Sequence, residues 1–247
     1  MKQIRDASDF LLLIAGLLVA WQCVSLVVGG RLVVPPLETL REIGVLFHRP
    51  SFWAHVNATA LAFAYASAIT IVLGLLAGVW LGTNRAAFET TEPMLASIAS
   101  LPKVTLYPII LTICGLGLSA KVAFGVIHGI VPITLFTMGA VRNIQPIYLR
   151  VGEMHNLSPR ARFFHLLLPA AFPEIFSGIR VGLSVTLLGV VLGEMFASRL
   201  GMGSMLMGAI GLADFPAIAA VTLILILAAT VLSSGLLWID RRLHHRD

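Results

Sequence analysis

Long apolar segments dominate this sequence and limit the folds that it can adopt. Six stretches are apolar over enough residues to cross a bilayer core, which takes about 20 residues of helix. They cover roughly residues 9–29, 53–82, 93–114, 118–141, 170–197 and 216–239. Only 12% of the 247 residues are charged, whereas soluble proteins carry about 25%. We therefore predict an all-α integral membrane protein, with one transmembrane domain spanning residues 1–247 and no separate soluble domain.

The first apolar segment follows Lys2 and Arg5, as it would in a signal peptide. It is long for such a peptide, and no small-residue cleavage site follows it. We expect it to be a retained first span.

Lysine and arginine are distributed unevenly between the two sides that these spans define. Cytoplasmic loops of membrane proteins carry an excess of these residues, so we expect both termini and the loop 142–169 to be cytoplasmic. The net charge of +5 then reflects loop orientation and gives no reason to expect nucleic acid as a partner. With the N-terminus inside, the inner side carries Lys2, Arg5, Arg85, Arg142, Arg150, Arg160, Arg162, Arg241, Arg242 and Arg246, and the outer side carries Arg31, Arg41, Arg49, Lys121 and Arg199.

Shorter features lie within and between the spans. Pro102 and Pro108 interrupt the third span, and interrupted membrane helices usually face protein or a water-filled cavity. Between the first two spans, the amphipathic stretch from Leu37 to Phe47 predicts a helix lying on the membrane surface. The Gly- and Met-rich residues 199–215 predict a short re-entrant helix on the outer side.

Three glycines, Gly74, Gly78 and Gly82, recur at four-residue spacing in the second span. This spacing makes a ridge of small residues along which another helix can approach closely. We favour packing within the chain, and a contact between two chains is the alternative.

The loop between the fourth and fifth spans is the longest segment that cannot lie inside a bilayer. Its pattern predicts a helix, a turn and a second helix. Asn156 suits the left-handed conformation that ends a helix, and Ser158 with Pro159 suits the start of the next. Pro169 and Pro173 are expected to stop that second helix and to start the next element. Such basic amphipathic helices bury their apolar side chains against headgroups, the protein's own spans or a soluble partner.

Motifs for enzyme chemistry are missing from the sequence. No G-x-x-x-x-G-K-[ST], H-E-x-x-H, C-x-x-C or G-x-S-x-G occurs, so the chain has no P-loop with which to bind ATP. Cys23 and Cys114 both lie in apolar runs, and we predict no disulfide between them. We expect a non-catalytic protein without a metal site or a cofactor of its own.

Few ionisable residues lie at membrane depth, where such residues usually face the interior of the bundle. Arg180 is expected to pair with Glu174 or to reach the cytoplasmic interface, and Glu194 is expected to pair with Arg199 unless it lines a pathway. His128 is expected to be a hydrogen-bonded interior residue. For Lys103 a structural role and a role in a pathway both stay open.

Five motifs of the sequence are informative when they are taken together. They are Ser100-Leu101-Pro102-Lys103-Val104 to Cys114-Gly115-Leu116-Gly117, then Leu168-Pro169-Ala170-Ala171-Phe172-Pro173-Glu174-Ile175, Gly178-Ile179-Arg180-Val181-Gly182-Leu183, Gly193-Glu194-Met195 and Gly201-Met202-Gly203. These motifs resemble those of permease subunits of bacterial binding-protein-dependent ABC importers. The subgroup that they resemble most handles nitrate, sulfonate, taurine and thiamine- or riboflavin-related solutes.

The resemblance implies the type I importer permease fold, located in the bacterial inner membrane, and a cytoplasmic coupling helix. The implied partners are two ATP-binding cassette ATPases, a second permease copy or paralogue, and an extracytoplasmic solute-binding protein. ATP and Mg would be bound by the ATPases. The loop residues implied to contact the ATPase are Arg150, Val151, Gly152, Glu153, Met154, His155, Asn156, Leu157, Ser158, Pro159, Arg160, Arg162 and Phe163.

The corresponding loop of that permease family usually has Glu-Ala-Ala followed by Gly, and this chain departs from that pattern. Arg150, Val151 and Gly152 stand at the Glu-Ala-Ala positions, and Asn156 stands at the Gly position. The acidic anchor is thus reversed in sign, while Asn is the residue next best suited to a positive φ.

The resemblance implies ATP-driven import of a small solute, anionic or containing sulfur or nitrogen, along a path between two permease subunits. A positive charge at Lys103 would suit an oxyanion. The alternative function is a gradient-driven secondary transporter or channel, which would need ionisable relays inside the spans. Candidate path residues are Lys103, Thr105, His128, Thr134, Thr137, Ser184, Thr186 and Glu194.

Overall fold

A computed structural model describes residues 2–244, and the elements in that range are helices joined by short connections. Arg246, which contributes to the predicted cytoplasmic charge, lies outside the described residues. The helices are α1 Lys2–Val28, α2 Pro36–Phe47, α3 Pro50–Thr83, α4 Arg85–Ser100, α5 Tyr107–Cys114, α6 Leu118–Arg142, α7 Pro146–Met154, α8 Pro159–Arg162, α9 Leu168–Ala197, α10 Met202–Gly211 and α11 Phe215–His244.

Five described helices, α1, α3, α6, α9 and α11, are long and apolar enough to cross a membrane. The third predicted span differs from the others, because α4 and the following Lys103–Cys114 helices meet at an angle of 88°. Counting that bent pair as one span gives six, the predicted number. The break falls at Pro102, as expected. Pro108 does not interrupt a helix, since it lies in the first turn of α5, where no intrahelical N–H bond is lost.

The centre of the protein is formed by α6, which packs against α9 and α3 more extensively than any other two described helices pack together. The glycine ridge of α3 faces α6. A Cβ atom added at Gly74 would lie 2.8 Å from Ile133, and one at Gly78 would lie 2.5 Å from Thr137. The ridge therefore packs within the chain, as favoured from the sequence.

A second set of glycines, not singled out from the sequence, brings α6 and α9 together. A Cβ atom at Gly189 would lie 2.8 Å from the carbonyl oxygen of Phe124, and one at Gly193 would lie 3.0 Å from Cα of Lys121. Because these neighbours are main-chain atoms, the two backbones themselves are in contact.

One end of the bundle is closed by α2, α10 and α11. Leu46, Phe52, Met202, Ala220 and Val221 form a buried cluster there. The predicted helix at 37–47 is confirmed as α2, which packs on α11. The predicted short helix within 199–215 is confirmed as α10.

Helix α1 is largely exposed, with 6% of its most apolar 18-residue stretch buried. Among the described side chains, its hydrogen bonds to the rest of the chain come from its last two turns. Trp21 Nε1 donates to Val34 O at 3.0 Å, and Ser25 Oγ donates to Val33 O at 2.6 Å.

Candidate functional site

The loop between α6 and α9 lies at the opposite end of the bundle from α2 and α10. It contains α7, α8 and a π-helical turn, Phe163–Leu167, that leads into α9. The helix–turn–helix pattern predicted from the sequence is therefore confirmed.

Asn156 ends α7 in the left-handed conformation, with φ of 49°. The N–H of Leu157 donates to Gly152 O at 3.0 Å, and the N–H of Asn156 donates to Glu153 O at 3.0 Å. These two bonds form a Schellman motif, which satisfies the last carbonyl groups of the helix. The turn between α7 and α8 is consequently a defined, hydrogen-bonded structure.

Ser158 caps α8 as predicted, since its Oγ accepts a hydrogen bond from the N–H of Ala161 at 3.3 Å. The predicted start of the next element at Pro169 is confirmed, because α9 begins at Leu168 with Pro169 in its first turn, but the predicted stop at Pro169 and Pro173 is wrong. The chain stays helical from Pro159 to Ala197, because the π-helical turn widens the helix just before Pro169 and the N–H of Leu168 bonds five residues back, to Phe163 O. Pro173 lies inside α9.

Arg162 holds α7 and α8 together. Its Cγ and Nε would lie 2.9 and 3.0 Å from a Cβ at Gly152, so the arginine covers the glycine directly. Its Nη1 lies 3.7 Å from Glu153 Oε1. Sequence reasoning placed Arg162 among the residues that face a partner, and the structure shows it packed against the other helix of the loop.

The remaining loop side chains present a mixed surface. Met154 is 82% exposed and Phe163 is 43% exposed, beside exposed positive charges. Pro159 begins α8, and its side chain lies outside what the structure describes. The exposed members of the predicted interface are Arg150, Glu153, Met154, His155, Asn156, Ser158, Arg160 and Phe163; Val151, Leu157 and Arg162 are partly covered, and Gly152 is buried. Apolar groups that neither the spans nor the loop cover are available to a partner.

Arg180, expected to pair with Glu174 or to reach the interface, has another partner. Its Nε lies 3.2 Å from Asp240 Oδ2 near the end of α11, and Ser177 Oγ donates to Asp240 Oδ1 at 3.2 Å. The prediction of Glu174 as partner is wrong because the carboxylate comes from a helix distant in sequence.

Glu194 and Lys121 form a buried ion pair at the end of the bundle opposite the loop. Lys121 Nζ lies 3.2 Å from Glu194 Oε1, and the two side chains are 5% and 0% exposed. Lys121 also donates to Leu200 O at 3.0 Å. One prediction is corrected here, because the partner of Glu194 is Lys121 and not Arg199.

The segment 198–203, which joins α9 to α10 and includes the first two residues of α10, wraps around this carboxylate. Thr59 Oγ1 donates to Glu194 Oε2 at 2.8 Å, and the N–H of Gly203 donates to the same oxygen at 3.2 Å. The N–H of Met202 donates to Thr59 Oγ1 at 2.8 Å. Glu194 thus binds α3, α6 and the start of α10 at once.

His55 and Gly201 complete the arrangement. His55 Nδ1 lies 2.8 Å from Gly201 O and 3.1 Å from Gly201 N. Gly201 has φ of +134°, and a Cβ there would collide with the carboxylate of Glu194. We call His55, Thr59, Lys121, Glu194 and the segment 198–203 the helix-end network.

The predicted path residues lie in different environments. Thr137 and Thr186 are fully buried, and they face Gly78 and Gly129 in the contacts of α3, α6 and α9. Thr134 is also buried, and His128 Nδ1 lies 2.8 Å from Phe124 O. His128 is therefore confirmed as a hydrogen-bonded interior residue.

The other path candidates are more accessible. Ser184 Oγ lies 3.2 Å from Ser233 Oγ of α11. Lys103 lies at the bend after α4, where its Nζ donates to Ala99 O at 3.2 Å, and Thr105 is exposed beside it.

Within residues 2–244, no three His, Cys, Asp or Glu side chains are grouped as ligands of a metal ion would be. The features that the structure brings together are therefore a partly apolar basic loop at one end and a buried polar network at the other.

The chain was compared with models of known protein families, and one of them matches most of its length. A family model described as "Binding-protein-dependent transport system inner membrane component" matches residues 42–246. This range includes the loop and the helix-end network and excludes α1.

Individual relatives match over most of their length. A probable ABC transporter permease protein of Haemophilus influenzae is 26% identical, covering 94% of this chain and 95% of that protein. The nitrate import permease protein NrtB of Synechocystis is 27% identical, covering 77% and 72%. The taurine transport system permease protein TauC of Escherichia coli is 22% identical, covering 93% and 86%.

Proposed function

Because the chain belongs to the family of binding-protein-dependent transport system inner membrane components, we propose that it couples ATP hydrolysis by partner subunits to solute import. The chain is a multi-pass inner-membrane permease of the type I ABC importer kind. The family description itself implies a solute-binding protein as a partner, and the permease names of the relatives imply an ATPase.

The observation that carries this proposal is the construction of the loop 142–169. Its two short helices are joined by a Schellman motif and braced by Arg162 over Gly152. A braced element of this kind moves as a unit when a partner pushes on it. Met154 and Phe163 would supply contact area, and Arg150 and Arg160 would supply steering charges.

The assembly that we propose contains two ATPase subunits, this chain and a second permease, either a copy or a paralogue. Both termini and the loop 142–169 face the cytoplasm, consistent with the distribution of lysine and arginine. ATP and Mg are bound by the ATPases. The extracytoplasmic binding protein docks at the end formed by α2 and α10.

The solute that we propose is small and anionic, or contains sulfur or nitrogen. Relatives named for nitrate and taurine support this class. Lys103 is partly exposed at the bend after α4 and would supply a positive charge to the path. Uptake of an anionic solute should fall in Lys103→Met, and unchanged uptake would remove Lys103 from the path.

The decisive experiment is co-purification of the chain with its ATPase in detergent. Arg160→Glu combined with Phe163→Ala should abolish co-purification, because it reverses an exposed charge and removes an exposed apolar group from the loop. Arg199→Glu combined with Leu212→Ala is a matched control, since it makes the same kinds of change at the opposite end. Leu212 is 82% exposed there.

Retention of the ATPase by the loop variant would contradict the coupling role of residues 150–163. If the unaltered chain takes up solute without any ATPase, gradient-driven transport replaces ATP-driven import as its function.

A further inference from the structure

The helix-end network connects the surface formed by α10 to the three central helices. We propose that the Lys121–Glu194 pair is a positioning pair that transmits docking of the extracytoplasmic partner to α6 and α9. This inference rests on the proposed function, because it presumes a protein that docks at this end.

The contacts show why force applied to α10 would reach the central helices. Glu194 belongs to α9 and Lys121 to α6, and they are 3.2 Å apart with almost no exposure. The same carboxylate accepts a hydrogen bond from the N–H of Gly203, in the first turn of α10. Displacement of α10 therefore pulls on a group that is bonded to both α6 and α9.

The rest of the segment 198–203 is held by hydrogen bonds to α3 and α6. Leu200 O accepts from Lys121, and Gly201 is bonded to His55. Met202 N–H donates to Thr59, whose hydroxyl hydrogen is directed to Glu194. Each of these bonds links the segment to α3 or α6, so the segment has little freedom to move by itself.

The glycines leave room for the side chain at position 194, and the hydrogen-bond donors around it require an acceptor there. A side chain at Gly201 would occupy the place of the carboxylate, and a Cβ at Gly203 would lie 2.9 Å from Glu194 Cβ. The N–H of Gly203 and the hydroxyl of Thr59 both point toward position 194, whereas a carbonyl oxygen, Leu200 O, accepts from position 121. The two charges consequently have different surroundings and are not interchangeable.

Four variants test the inference in the assembled complex in proteoliposomes. Lys121→Met and Glu194→Gln each leave one buried charge without its partner. The double variant Lys121→Met/Glu194→Gln removes both charges, and its amide oxygen still accepts from Thr59 and Gly203. The exchange Lys121→Glu/Glu194→Lys keeps both charges and reverses their places.

The measured quantity is the stimulation of ATP hydrolysis by the solute-binding protein, compared with hydrolysis in its absence. Coupling between distant sites commonly changes an equilibrium roughly 5- to 150-fold, and we expect each single variant to lose stimulation by at least about fivefold. Hydrolysis without the binding protein and co-purification of the ATPase should stay unchanged. The double variant should recover most of the stimulation, and the exchanged variant should not.

Hydrogen exchange of the purified permease gives a readout that does not depend on any partner. Amides in the segment 198–203 should exchange faster in Lys121→Met than in the unaltered chain, and the double variant should restore protection. Arg199→Met is the control, because it removes an exposed positive charge from the same segment outside the ion pair. If a single variant cannot be purified, the double and the exchanged variants provide the same comparison.

Unchanged stimulation in both single variants would overturn the inference, and so would a double variant as impaired as the singles. Unchanged exchange in Lys121→Met would show that the pair does not hold the segment, which also overturns it. An unaltered chain that binds no ATPase contradicts the proposed function instead, and the exchange experiment separates that failure from this one.

Discussion

The contact between α6 and α9 predicts that Gly189 cannot be replaced even by alanine without loss of stability. A Cβ at Gly189 would lie 2.8 Å from the carbonyl oxygen of Phe124 and 2.9 Å from Cγ of His128. An ordinary contact begins at 3.4 Å, so the helices would have to separate by about 0.6 Å at a backbone atom that has no rotamer to change.

The magnitude follows from two opposing effects. Overpacking a well-packed interior costs about 1–3 kcal/mol. Alanine inside a helix is more stable than glycine by about 0.5–1 kcal/mol, which offsets part of that cost. We therefore expect Gly189→Ala to lower the free energy of unfolding by about 1 kcal/mol, since the two effects differ by about 0–2.5 kcal/mol.

Gly235→Ala is the matched control, because Gly235 also lies inside a membrane helix and a Cβ there meets nothing within 4 Å. The free energy of unfolding of this control should rise by about 0.5–1 kcal/mol, because alanine favours the helix more than glycine does. The assay is equilibrium unfolding of the purified permease in mixed micelles with a rising fraction of SDS, followed by tryptophan fluorescence. If Gly189→Ala raises the unfolding midpoint as Gly235→Ala does, the close approach of α6 and α9 is refuted.

Three further predictions concern the loop between α6 and α9 and the end of α11. Asn156→Gly should keep co-purification with the ATPase, whereas Asn156→Val should weaken it, since a β-branched residue pays about 1–2 kcal/mol at positive φ. Gly152→Val should displace Arg162 and lower co-purification without shifting the SDS unfolding midpoint, because the loop lies outside the helix bundle. Asp240→Leu removes the carboxylate facing Arg180 and should lower the free energy of unfolding by up to about 3 kcal/mol. The loss should be smaller than for a fully buried pair, because Arg180 is 30% exposed. Asp240→Leu combined with Arg180→Met should recover part of that loss in the same SDS assay.

Patterns within one stretch of sequence predicted the local structure well. The apolar segments gave α3, α6 and α9 to within three residues at each end. The other bounds were less accurate, because α1 begins at Lys2 instead of 9, α11 ends at His244 instead of 239, and α4 of the bent third span begins at Arg85 instead of 93. Asn156 and Ser158 mark the turn between α7 and α8, because a left-handed residue and a helix cap depend on neighbours only a few residues away. Pro169 misled the prediction, since a π-helical turn can absorb a proline that an α-helix cannot.

Pairings between distant residues were missed, because charge and spacing along the chain favour partners nearby. Glu194 was assigned to Arg199, five residues on, although its partner Lys121 is 73 residues away. A usable signal was present: Lys121 lies three residues after the start of α6, and Glu194 lies three residues before the end of α9. In antiparallel neighbouring helices those positions have the same depth.

Because Lys121 and Glu194 are far apart in the sequence, the ribosome makes the lysine well before its carboxylate partner. At about 5–20 residues per second, roughly 4–15 s pass between synthesis of the lysine and synthesis of its carboxylate. During that interval α6 is in place with its ammonium group unneutralised, and the position of Lys121 near the helix end lets the side chain extend to the water interface. The ion pair can form only after α9 has been made, and the hydrogen bond from Gly203 to the same carboxylate only after that. A nascent chain that stops before residue 194 therefore keeps an unpaired positive charge at the membrane surface, a chemical mark that distinguishes it from the finished protein.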